Sequence, residues 1–93
     1  MLPGVAYTPL RHAHVGESEI HRDQLLPVEW VMLSRWDHDS GATEYCVEYL
    51  DRQTQIAAED DSFDTLAEAE RHAVKQFNLP ADDWHDGVPP APA

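Results

Sequence analysis

Two groups of residues have the types and spacing that metal chemistry uses. Asp37, Asp39, Glu44 and Glu48 fall at positions 1, 3, 8 and 12 of a twelve-residue frame of the kind that ligates calcium. The frame fails at two demanding places: position 6, which needs glycine for a sharp turn, holds Ala42, and position 5 holds Gly41, which has no ligand atom. A polar turn between strands is the better account. His12-x-His14 puts two imidazoles on one side of an extended segment, where His21 or Glu17 could complete a zinc or nickel site, but no second tightly spaced pair accompanies them. Neither a metal nor a cofactor is expected.

Nucleophilic catalysis would draw on Cys46, Ser18, Ser34, Ser40 or Ser62 together with a histidine and an acid. None of these comes with a nucleophile elbow, a glycine-rich oxyanion loop or a helix N-terminus aimed at it, so no enzyme activity is expected. Cys46, the single cysteine, lies in a strand-like run and reads as a buried thiol.

Charge is the more informative feature. Between Asp37 and Ala93 stand fourteen carboxylates and three basic residues, against four and three before Asp37. A one-sided field of this kind steers association with basic proteins and disfavours nucleic acid and anionic membranes as direct partners. Some of the excess has local work, because carboxylates near a helix N-terminus are favoured by about 0.3–1 kcal/mol each. Glu59, Asp60, Asp61 and Asp64, and again Asp82 and Asp83, exceed that need. With Asp37 and Asp39 they are the candidate partner-binding acids, and Trp36 and Trp84 are the candidate aromatic anchors.

The elements that must position these residues begin at Val28. Residues 28–36 are rich in β-branched and aromatic side chains and end at the turn formers Asp37 to Gly41; Thr43 to Leu50 is a second such run, and the two predict an antiparallel hairpin. Gln53 to Ala58 is expected as a third strand. Thr65-Leu66-Ala67-Glu68 matches a capping box, and Leu66, Ala69, Ala73 and Phe77 form one apolar stripe of a helix that Asn78 and Pro80 stop.

The expected fold is therefore α+β: a small antiparallel sheet of about three strands with one main helix on one face. Residues 1–27 are an N-terminal arm or extra element, 28–86 the core and 87–93 a disordered tail of a single domain. Within the arm, a short strand around Val5 to Thr8 is expected, while Ser18 to Leu26 satisfies neither the helical nor the strand period, and both readings stay open. Because neither face of the hairpin is wholly polar, the face away from the helix is either hidden by residues 1–27 or left as an apolar patch.

No signal peptide or membrane span is visible, and a cytoplasmic location is expected. Size, acidity and layout give a general likeness to immunity proteins, which neutralise a basic toxin by covering its active site. The corresponding expectation is a small acidic module that inhibits or neutralises a basic partner protein. A nucleic-acid mimic acting against a DNA-binding defence protein and a homo-oligomeric assembly component are the alternatives.

Overall fold

The computed structural model describes residues 5–79 and 83–91. The chain forms β1 (Val5–His21), β2 (Leu25–His38), β3 (Thr43–Leu50), β4 (Ile56–Phe63), α1 (Leu66–Phe77) and a two-residue β5 (His85–Asp86). All strands pair antiparallel in the order β4-β3-β2-β1-β5, so α1 links one edge of the sheet to a strand beyond the other. No helix among the described residues is long and apolar enough to cross a membrane.

This overturns the expected α+β fold with about three strands. The sheet has five, with 58% of the described residues in strands and 14% in the single helix. Two irregularities mask β1 in the sequence. Leu10 is an extra residue between the pairs Pro9–Ser34 and Arg11–Leu33, which reverses the inward–outward parity of the strand. Farther along, Val15, Gly16 and Glu17 stand opposite Glu29 alone, and Gly16 takes φ 70° there. The segment Ser18 to Leu26 resolves as the end of a hairpin, with His21 paired to Leu25. Pro27 is tolerated in β2 because β3 pairs only Trp30 to Asp37, so at Pro27 the strand has a neighbour on one side only.

β4 also lies later than the expected 53–58. The Asp51 side chain accepts hydrogen bonds from the Gln53 and Gln55 backbone N–H groups at 2.9 and 3.0 Å, which holds those residues in the turn. The acidic run Glu59-Asp60-Asp61 is thus edge strand and not a helix approach. Within it, Asp61 and Ser62 both oppose Cys46, a bulge in which Ser62 adopts φ 76°. A non-glycine residue is strained in that region, so Ser62→Gly is expected to stabilise the protein by roughly 0.5–1 kcal/mol, the relief exceeding the entropy cost of glycine. A higher urea midpoint with an unchanged slope is the measurement that checks it.

α1 is bounded as its sequence dictates. Thr65 Oγ1 accepts from the Glu68 N–H at 3.1 Å, and Asn78 takes the left-handed conformation that closes the helix. Its stripe buries Ala69 and Ala73 against Ala13, Val31, Leu33, Val47 and Tyr49, and Phe77 meets the Tyr49 ring edge-on at 5.7 Å. The end of the β1–β2 hairpin bends over this same side. Arg22, in its turn, reaches Asp60 on β4 at 2.8 Å and lies over the Tyr49 ring at 5.7 Å.

Residues 5–21 extend the sheet and do not lie across its other face. There His12, Met32, Ser34, Cys46, Glu48 and Leu50 are buried. Tyr7 and Trp36 cover one half through hydrogen bonds to Glu48 and Ser34, and Val88, Pro89 and Ala91 lie beside Met32 and Leu50 on the other. The Gly87 N–H donates to the Leu10 carbonyl at 3.0 Å, and the Gly87 carbonyl pairs with His12 Nδ1 at 2.8 Å.

Candidate functional site

The alternation of β3 decides which carboxylates share a surface. Tyr45, Val47 and Tyr49 point to the helix side, so Glu44, Cys46, Glu48 and Leu50 point away from it. Register then adds the neighbours: Trp36 lies across from Glu44, Tyr7 across from Trp36, and Glu59 across from Glu48. The Tyr7 and Trp36 rings meet edge-on at 4.7 Å, with Tyr7 41% exposed. An aromatic pair, with Tyr7 exposed and Trp36 half-buried, therefore sits beside Glu44, Glu59 and the bulged Asp61.

The electrostatics of this face are legible in its buried groups. Burial first, then the charges of Asp61, Glu48, Glu59 and Glu44, push the Cys46 thiol up to about 11. Burial likewise raises the Tyr7 hydroxyl well above the usual tyrosine range, with the Glu48 hydrogen bond and charge adding to it. Glu48 is 1% exposed and forms no ion pair among the described residues. Burial raises its carboxyl above the ordinary glutamate value; hydrogen bonds from Tyr7, at 2.6 Å, and Ser34 pull it down, and Glu59 pushes it up again. A thiol held protonated is a poor nucleophile, so Cys46 is chemically quiet here.

No protein-family model, curated protein or solved structure matches this chain. The site therefore has to be judged on its own geometry.

Of the ten residues singled out from sequence, the structure brings Trp36, Glu59 and Asp61 onto one face. Asp37 binds Arg35 at 3.0 Å and the Thr43 hydroxyl at 2.9 Å, and Asp39 is exposed in the adjoining turn. Asp60 turns to the helix side, where it accepts from Tyr49 at 2.6 Å and pairs with His72 at 3.1 Å as well as Arg22. Asp64 is exposed just ahead of α1, and Asp83 is half-buried. Trp84 packs against the helix-side core with its indole N–H buried and unpartnered, which spends it on packing. Asp82 lies outside the described residues.

The metal candidates disperse in the same way. Trp30 sits between His12 and His14, at 5.7 and 4.6 Å from their rings; His12 is engaged with Gly87 and His14 with Glu29. Among the described residues no three His, Cys, Asp or Glu side chains converge as a metal would require. Glu44 pairs with His38, and Glu48 with Tyr7, so the calcium-like frame is split between separate contacts. Sequence reasoning missed Tyr7 as a site residue, because the register that sets it beside Trp36 was hidden although a short strand was expected there, and Glu44, whose parity with Cys46 and Leu50 was already readable.

Proposed function

We propose that this protein is an acidic binding module whose sheet face opposite α1 docks, and thereby inhibits, a basic partner protein. The observation that carries this reading is the conjunction of an exposed Tyr7 packed on a half-buried Trp36 with Glu59 and Asp61, two exposed carboxylates that make no ion pair among the described residues. Aromatic side chains supply desolvated anchors, and unpaired acids supply the steering field. A phosphate-mimicking surface would need evenly spaced free carboxylates, whereas Asp37 and Asp60 are already held by Arg35 and Arg22.

Basic proteins retained from the native host on the immobilised chain at low salt provide the test, followed by binding kinetics of whatever is retained. Glu59→Gln with Asp61→Asn is expected to slow association about tenfold or more and to flatten its salt dependence, while Trp36→Ala is expected to speed dissociation. If no basic protein is retained, or if the charge variants associate as fast as the parent, the reading is wrong.

A further inference from the structure

The docking face has a second half that its acids do not occupy. Next to the row that pairs Glu48 with Glu59 comes the row that pairs Trp30, Leu50 and Ile56. Val88, Pro89 and Ala91 lie across from it and leave an open apolar cleft of about 390 Å³ between themselves and Met32, Leu50 and Ile56. Ile56 and Val88, on opposite walls, are 55% and 59% exposed, so the apolar surface of the cleft is open to a ligand. The wall that carries Val88 is fixed in place: β5 pairs with Arg11 and His12, and Gly87 is held through both its N–H and its carbonyl.

We infer that this cleft seats an apolar side chain from an extended, basic segment of the partner, whose cationic side chains meet Glu59 in the neighbouring row and Asp61 in the row beyond it. The inference rests on the docking role proposed above and specifies the partner's chemistry. Glu48 and Leu50 are two residues apart on β3, so the acidic and apolar rows are separated by about 7 Å. That is the distance at which side chains on one side of an extended peptide recur, so the fitting pattern is a basic residue, a spacer and an apolar residue. The cleft volume suits one or two aliphatic side chains and falls at the small end of ligand pockets.

Four synthetic peptides titrated into the full chain at low salt, followed by backbone-amide and methyl NMR, test this. Lys-Ser-Leu-Ser-Lys is expected to shift the Ile56 and Val88 methyls together with the Glu59 and Asp61 amides, and to bind about tenfold or more tighter than Lys-Ser-Ser-Ser-Lys. Lys-Leu-Ser-Ser-Lys, with leucine out of register, and Ser-Ser-Leu-Ser-Ser, without charge, are expected to lose that gain. Ile56→Ser and Val88→Ser, both at exposed positions, are expected to abolish the leucine advantage and leave binding of the serine control intact. Equal binding of the first two peptides, or a leucine advantage that survives both variants, overturns the inference and leaves the docking role standing. Failure of every lysine peptide to move the Glu59 and Asp61 amides overturns both.

Discussion

Asp60→Ala is expected to destabilise the protein by roughly 2–3 kcal/mol. Asp60 gathers three donors from three elements: the Tyr49 hydroxyl of β3, His72 of α1 and Arg22 of the β1–β2 turn. Most of the loss comes from Tyr49, which is fully buried and would be left with an unsatisfied hydroxyl. The Arg22 contribution is smaller, because both partners are partly exposed and water screens them. Asp60→Asn keeps an acceptor for Tyr49 and should lose about half as much. Urea unfolding of Asp60→Ala, Tyr49→Phe and the double variant checks this; a coupling energy near zero would show that the bond does not contribute. Burial pushes the Asp60 carboxyl up, but the bonds from Tyr49, His72 and Arg22, with the arginine's charge, outweigh it and leave it below the usual aspartate value. Its contribution is therefore present above the unfolded-state value near 3.8 and is lost as pH falls through the lower folded value.

Glu48→Gln is expected to act in the opposite sense. Glu48 has a raised carboxyl value in the fold, so the stability linked to it is complete below about 4.5, the ordinary value, and is lost as pH rises through the raised one. Glutamine keeps an acceptor for the Tyr7 hydroxyl and removes the buried charge. Above that folded value the variant should be more stable than the parent by on the order of 1–2 kcal/mol, and below about 4.5 the two should coincide. Thermal unfolding across pH 4 to 8 reads this directly; parallel curves for parent and variant would mean that folding leaves the Glu48 carboxyl at its ordinary value.

The two carboxylates also show where the sequence was readable. The β2–β3 hairpin announced itself through β-branched and aromatic runs either side of Asp39-Ser40-Gly41, and α1 through Thr65 and its apolar stripe, because local patterns determine both. β1 was readable only at its start, where a short strand around Val5 to Thr8 was expected. Its alternation is broken at Leu10 and again at 15–17, and what stabilises it is pairing with β2, which no window along the chain contains. β5 is two residues long and exists only because α1 returns the chain beside Arg11 and His12. The site suffered from the same limit. Asp60 and Asp61 are adjacent in sequence and equally acidic, yet the strand sends one to the helix side, where Arg22 and His72 bind it, and leaves the other near Cys46. Tyr7 joined the face through a register with Trp36 that the sequence concealed, whereas the parity of Glu44 and Glu48 was already visible.

The Ser62 bulge has a bearing on how copies of this protein behave toward one another. β4 is an outer strand, and a long, flat outer strand is a template on which another chain can add itself and begin a fibril. Here the template is interrupted: the left-handed kink at Ser62 throws the backbone out of register, and Glu59 and Asp61 would bring like charges together in any strand pair formed edge to edge. The kink at Ser62 and these two acids thus disfavour strand addition at the β4 edge.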